Sequence, residues 1–449
     1  MSYSNAANKI PKSLVFSAKT PRLDSSERAI SSSDSDNIKL LIAGQGVFLF
    51  TLPKITETYV LPAIGEELLL TLNYWNDNKD DGLRIELTYQ SIALFRIAGN
   101  VLLGEKAKGI VYADTAFYWI SLDSHNLCLR FGIGEARLET MSFEYSFKAK
   151  SEGKEKEKEK ANAQMTLFLE TITYIAYSPE VILQPLKLLR DPIVQSVALK
   201  VKGTDDLTME DIGNNTYLPK SNLSPIAQKL YDNVAGQKFV LNTPDFPQFT
   251  QAIEYSIATK DCWCNDELKK KSREFGEDNP LETYLRITLG KNSGESPGVP
   301  YVLEIWPPGH YSPVHNHAGA NALIRVLHGA ISVKLFPYLK GSQGFAVATF
   351  SEGDITWISP DLNQIHQLKN LKGNIETCIT IQCYMYDIED TEHYNYFDYI
   401  DDKNAIEHFD PNSDADFIEF KAIIKKEWNA HLKKGEAAFL HNDLGHSQQ

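Results

Sequence analysis

Two long stretches of the chain consist almost entirely of short runs alternating apolar with polar or β-branched residues, separated by polar turns. The first series lies at 39–50, 67–74, 83–87, 93–97, 117–122 and 142–147. The second lies at 301–306, 322–327, 331–336, 346–350, 354–358 and 377–385, with His328-Gly329 as a tight turn between two of its members. Period two is the mark of a strand with one buried face. Many strands this short, with little helix between them, can bury their apolar faces only as a sandwich or a barrel. The expected fold is mainly β, with an N-terminal β-sandwich over 37–180 and a C-terminal barrel with flanking helices within 225–435.

The rest of the chain reads as connections. Residues 1–36 are rich in Ser, Asn and Lys and are expected to be a disordered tail. The Lys-Glu alternation at 148–162 reads as a solvated loop or linker, with a short charged helix as the alternative. A β-like segment at 165–176 would then be the last sandwich strand. Residues 181–224 have no firm period and are expected to be a connector. Ser224-Pro225 reads as an N-cap and first helical residue. Helices are expected within 225–275 and over 414–432, and a tail over 436–449. No repeat of fixed period is present.

Composition excludes several functions. The 449 residues carry 45 Lys+Arg against 59 Asp+Glu, a net charge of −14, which disfavours nonspecific binding to nucleic acid or an anionic membrane. No apolar run is long enough for a membrane helix, and the N-terminal apolar stretch is too short for a signal peptide. Five cysteines, few and odd in number, fit a reducing compartment. The expected location is the cytoplasm. The sequons at Asn214 and Asn222 are then coincidental. Cys262-Trp263-Cys264 lacks a second cysteine pair for a metal site. His310 reads as a loop residue, and His431, His441 and His446 as solvent-exposed. No P-loop, dinucleotide fingerprint or nucleophile elbow occurs.

The chemistry concentrates between Tyr284 and Tyr384. His315 and His317 are two apart, so on a strand they would point to one side. His366 lies 49 residues after His317. Three neutral imidazoles without a carboxylate leave coordination positions open, which suits a divalent first-row metal that also binds substrate. Around them, Gly309 stands six before His315, Gly329 twelve after His317, Gly353 thirteen before His366 and Asn370 four after it.

This spacing resembles the two motifs of the cupin superfamily, and implies a cupin β-barrel of the RmlC-like jelly-roll type. The first motif departs at its glutamate, where Ala322 stands. The second is looser, with Gly353 two residues early and Asp361 and Asn363 at its Pro and Gly positions. Cupins with three histidines and no glutamate resemble the thiol dioxygenases, above all cysteine dioxygenase. The string Tyr284-Leu285-Arg286, Trp306, Gly309-His310, Ser312, His315-x-His317 follows that family's order, although Pro307 and Pro308 replace part of its glycine turn. The resemblance covers about residues 225–400. It implies Fe(II) on His315, His317 and His366, a small carboxylated thiol held by Arg286 beside Tyr284, and O2 as co-substrate. Tyr384 would be the phenol near the reacting atoms, with Thr380 and Gln382 at the family's Ser and His positions behind it. Ala322 replaces the cysteine that crosslinks to this tyrosine in many animal enzymes. Cys383, adjacent in a strand, would face the other way. The implied activity is oxidation of L-cysteine to cysteine sulfinate. The alternatives are a 3-mercaptopropionate or other thiol dioxygenase, or a non-catalytic metal-binding cupin.

In the N-terminal half, Phe117-Tyr118-Trp119-Ile120-Ser121, then 127–133 and Gly134-Glu135, is similar to β-sandwich modules related to the farnesoic acid O-methyltransferase domain. That implies a module binding a protein or glycan, without catalytic residues of its own. The same aromatics would equally fill a sandwich core.

Overall fold

The computed structural model describes residues 27–30, 38–51, 68–88, 91–106, 117–150, 155–178, 186–289, 301–339, 343–386 and 396–445. Most of the expected strands form close to their expected bounds. In the N-terminal half they build two six-stranded antiparallel sheets. In spatial order one holds Glu27–Ile30, Leu186–Leu189, Gln45–Thr51, Phe117–Asp123, Cys128–Ile133 and Met141–Ser146. The other holds Ile38–Lys39, Ile172–Ser178, Leu68–Asn76, Gly82–Thr88, Ile92–Arg96 and Val101–Lys106. Phe48, Phe50, Leu72, Ile85, Tyr118 and Phe131 meet between them in a fully buried core.

Three expectations are corrected here. Residues 27–30, read as tail, pair with Leu186–Leu189, read as connector, and both complete the first sheet. The Lys-Glu run enters a helix, Glu155–Leu169, where a loop or linker was expected. Its residues are strong helix formers, and its last turn is anchored by Met165 and Phe168 against the sandwich core. The Arg96 guanidinium lies 3.6 Å from the Phe168 ring centre. The β-like segment at 165–176 thus divides between the end of this helix and the strand Ile172–Ser178.

The C-terminal half is a cupin-type barrel. An eight-stranded sheet runs in the order Tyr217–Pro219, Lys200–Lys202, Ile355–Ile358, Asn321–His328, Cys378–Met385, Tyr301–Trp306, Leu285–Thr288 and Ala415–Asp416. A three-stranded sheet of Ala346–Ser351, Ala330–Leu335 and His366–Lys369 faces it. At Gly329 the chain passes between the sheets with φ +69°, and a Cβ there would sit 2.7 Å from the Thr377 carbonyl oxygen. Lys200–Lys202 and Tyr217–Pro219 show that part of the expected connector belongs to this sheet.

Strand parity sorts the large sheet's side chains. Leu285, Ile287, Leu303, Ile305, Leu323, Ile379, Ile381 and Cys383 point to the helices Pro225–Val234, Phe249–Ala258 and Trp263–Lys270 behind it. Their even-numbered neighbours, including Arg286, Glu304, Trp306 and Gln382, face the barrel interior. Both faces are buried, so these strands read as nearly continuous apolar runs. Ser224 caps the first of these helices by accepting from the Ala227 N–H at 3.2 Å. The C-terminal helix, Phe417–Gly445, continues through most of the expected tail and packs Phe420 against Phe249 and Trp263. His431 is solvent-exposed, as expected, with its ring 4.2 Å from the Tyr255 ring centre. All five cysteines are free thiols. Among the described residues no helix is long and apolar enough to cross a membrane.

Candidate metal centre

His315, His317 and His366 converge inside the barrel, with their potential ligand atoms within 4.8 Å of one another and all three side chains buried. The sequence had suggested a strand at His315-x-His317, but this is an irregular segment in which His315 makes two isolated bridges, to Tyr399 and to His366. In the bridge to His366 each backbone N–H donates to the other's carbonyl at 3.0 Å. The backbone thus holds the first and third imidazoles side by side.

Two of the imidazoles are oriented from behind, while His317 Nδ1 is buried without a partner among the described residues. His315 Nδ1 lies 3.1 Å from the Pro313 carbonyl and His366 Nδ1 lies 3.0 Å from that of Asn363. With Nδ1–H donating to these carbonyls, each Nε2 lone pair is directed into the site, the usual way a ligand histidine is fixed. His317 Nε2 and His366 Nε2 are 3.2 Å apart. Two nitrogens at about 2.0–2.1 Å from one ion in cis or tetrahedral positions lie roughly 2.9–3.4 Å apart. The donor set therefore fits a single divalent metal. Burial pulls His315 down to about 3 and His366 to about 4, and burial with the charge of His366 holds His317 well below its usual range. At neutral pH all three are uncharged, with lone pairs available.

The second motif explains its own irregularity. Asn363 occupies the glycine position of that motif and adopts φ +62°, a left-handed conformation that Asn tolerates better than most residues. Its carbonyl is the one that receives His366.

The barrel sheet brings the other expected residues toward this centre. The Tyr284 ring stacks on Trp306 at 4.1 Å, and both line the metal cavity with Arg286 and Gln382. The Tyr384 ring stacks on His317 at 5.6 Å. Ala322 is the direct cross-strand partner of Tyr384, and Cys383 faces away with its thiol on the Leu230 carbonyl. Thr380 is buried beside Gln382 on the inner face.

Sequence reasoning missed Glu304. It is the cross-strand partner of Arg286, and its Oε1 accepts from Arg286 Nη1 at 2.7 Å. Its other oxygen accepts from Gln382 Nε2, and Tyr384 in turn donates its hydroxyl to Gln382 Oε1. Arg286 is therefore a partnered cation at one end. Its Nε, buried and lining the same cavity, has no partner among the described residues. The signal was a lone carboxylate in the apolar run Tyr301–Trp306, whose two neighbouring strands carry Arg286 and Gln382. Also missed were Phe397 and Phe409, from a hairpin of Phe397–Ile400 and Ile406–Phe409. Phe397 lies 4.7 Å from the His317 ring centre and Phe409 lies 6.2 Å from that of His315, closing one side of the cavity. His310 is tied to Thr283 outside the cluster. Cys262 and Cys264 belong to no metal-ligand group among the described residues, and Cys264 lies in the helical core.

No known protein-family profile matches the chain, and no curated protein matches it. Among solved structures it is similar to a cupin superfamily protein from Desulfitobacterium hafniense, at 15% identity over 23% of this chain and 79% of that one, with a TM-score of 0.18. It is similar to the Cnp3 cupin domain of Schizosaccharomyces pombe, at 15% identity over 23% and 65%, with a TM-score of 0.19. A cupin 2 domain-containing protein from Halorhodospira halophila matches at 19% identity over 25% and 71%, with a TM-score of 0.20. At these scores the neighbours carry no argument; the fold assignment rests on the strand order and the cluster itself.

Proposed function

We propose that this protein is an iron-dependent thiol dioxygenase and that its substrate is L-cysteine. The observation that supports it best is the shared cavity: three buried imidazoles, those of His315 and His366 with lone pairs directed by backbone carbonyls, and on the same wall Arg286 with an unpartnered, buried Nε. A buried donor left unmatched costs about 1–3 kcal/mol, more when charged, and a ligand carboxylate would remove that cost.

His315, His317 and His366 would hold Fe(II), which when bound supplies the place where a thiolate and O2 meet and react. The reaction is R–SH + O2 giving R–SO2H, both oxygen atoms passing to sulfur. Arg286 fixes the register of the substrate by a charge-assisted hydrogen bond from Nε to its carboxylate. Tyr284, held flat against Trp306, shapes the pocket beside it. Tyr384 lies against His317, and its hydroxyl donates to Gln382 Oε1. Gln382 cannot titrate as the family's histidine does; it holds the phenol by geometry alone. Phe397 and Phe409 exclude water from the imidazoles.

Glu304 favours a second reading. With Arg286 already paired, a thiol without a carboxylate loses less here than at an unpaired arginine, so another thiol, or metal binding without turnover, is the alternative. Anaerobic loading with Fe(II), then oxygen uptake and sulfinate detection with L-cysteine, 3-mercaptopropionate and cysteamine, separates these. Sulfinate from L-cysteine at about one O2 each supports the proposal. Turnover of cysteamine alone, or stoichiometric iron with no uptake, supports the second reading.

A further inference from the structure

The N-terminal sandwich reaches the metal centre through one turn. Between Cys128–Ile133 and Met141–Ser146 the chain passes through Gly134, Glu135 and Arg137. Glu135 is 5% and Arg137 2% exposed, unusual for charged residues in a turn. Their contacts go across to the barrel. Arg137 Nη1 donates to Asn363 Oδ1 at 2.9 Å and Nη2 to the Val197 carbonyl at 3.3 Å. Glu135 Oε1 accepts from the Gln364 N–H at 3.0 Å. Gly134, with φ +98°, is pressed against Pro337 so closely that a Cβ would sit 2.4 Å from the Pro337 carbonyl oxygen. Beside the turn, Lys187 of the sandwich pairs with Asp361 at 2.9 Å.

The two residues gripped are the ones that place the ligands. Asn363 presents the carbonyl that orients His366. Gln364 accepts from the Gly319 N–H at 3.2 Å and donates to the Ala320 carbonyl at 2.9 Å, just after His317. It also donates to the Ser359 carbonyl at 2.7 Å. The turn itself is kept in shape by Thr140, which donates to the Arg137 carbonyl at 2.9 Å and accepts from Trp119 Nε1 at 3.2 Å.

We propose that Arg137 and Glu135 are positioning residues of the metal centre, so that the sandwich is a permanent part of it: through Asn363 and Gln364 they fix the loop that aims His366 and His317. This rests on the reading of the three imidazoles as a metal site. It gives the N-terminal module a role in the site that needs no separate ligand.

The test uses the full chain and Co(II), whose visible absorption reports coordination without turnover. Arg137→Met removes the grip at similar volume. Asn363→Gly keeps the left-handed backbone and the carbonyl to His366 but removes the Oδ1 that Arg137 holds. Each is expected to weaken Co(II) binding about 10- to 100-fold, the usual loss when an outer partner of a ligand is removed, and to alter the absorption band. The double variant should be no worse than the poorer single, because both cut one path. Arg96→Met, which removes an ion pair and ring contact inside the sandwich, controls for general loosening and should bind Co(II) within twofold of wild type. Wild-type affinity and spectrum in a folded Arg137→Met protein, or equal loss in Arg96→Met, overturns the proposal alone. A wild-type protein that takes up no Co(II) overturns the metal reading and the proposal with it.

Discussion

Replacing Arg286 with Met should unsettle the barrel before it affects any substrate. Arg286 and Glu304 are 7% and 5% exposed at their side chains and 2.7 Å apart. Breaking a buried pair by removing one partner costs about 3–5 kcal/mol, because the other charge is left uncompensated. For a unit of roughly 150–250 residues, each kcal/mol shifts the melting temperature by about 2–4 °C. The barrel transition of the metal-free Arg286→Met protein should therefore fall by roughly 6–20 °C. The double variant Arg286→Met/Glu304→Gln carries neither charge, and its new amide oxygen still accepts from Gln382. It should melt well above the single variant.

The loss should also depend on pH with a definite sign. Burial already pushes the Glu304 carboxyl up from its ordinary value, against the pull of Arg286. Without Arg286 it rises further, and the folded protein then binds a proton that the unfolded chain releases above about pH 4.3. Stability of the single variant must fall as pH rises from about 5 toward the raised folded value. Calorimetry of the four proteins of the cycle at pH 5 and pH 8 measures both effects. Equal melting temperatures for the single and double variants, at both pH values, would refute the charged pair. On the stable double variant, KM for L-cysteine should rise about 10- to 100-fold, the equivalent of one hydrogen bond to a charged group.

His366→Ala should abolish stoichiometric Fe(II) binding while leaving the sandwich transition intact; metal analysis showing full occupancy would remove His366 from the ligand set. Ala322→Cys places a thiol directly across from Tyr384, so aerobic turnover with iron should yield a thioether, seen as loss of two hydrogens in the intact mass. An unchanged mass after many turnovers would separate this site from the crosslinking enzymes. The metal-free protein should lose stability as pH falls from about 6.5, the unfolded histidine value, toward the folded values of about 3 for His315 and about 4 for His366. These depressed groups favour the fold only above that window, and His366→Ala should flatten the slope between pH 6.5 and 4.5.

The barrel was legible although its large sheet is buried on both faces, which weakens alternation, because inner polar residues such as Arg286, Glu304, Thr380 and Gln382 sit at even positions of its strands. His315, His317, His366, Arg286, Tyr284 and Tyr384 were found by spacing; the first five line one cavity, and Tyr384 stacks on His317. Glu304 was not found because a motif records a position, while the charge on Arg286 is answered across a strand pair 18 residues away. Leu186–Leu189 was read as connector because its run shows no alternation. It becomes a strand only through partners on both sides, one of them in the supposed tail. The Lys-Glu run was misread as solvated loop because its charges hide the anchor, Met165 and Phe168, that lies beyond them. The grip of Arg137 on Asn363 spans 226 positions and has no local signature.

The turn that carries Glu135 and Arg137 has a consequence for the order of events at the ribosome. Every sandwich strand is complete by Leu189, and Asn363 follows 174 residues later (363 − 189). At about 5–20 residues per second that interval is roughly 10–35 s. Through it the finished turn keeps its charges satisfied within itself, Arg137 against Glu135 at 3.3 Å and Glu139 at 3.0 Å. When His366 emerges, its loop closes against a surface already made, so the first half of the chain serves as the mould on which the second half casts its three-histidine cluster.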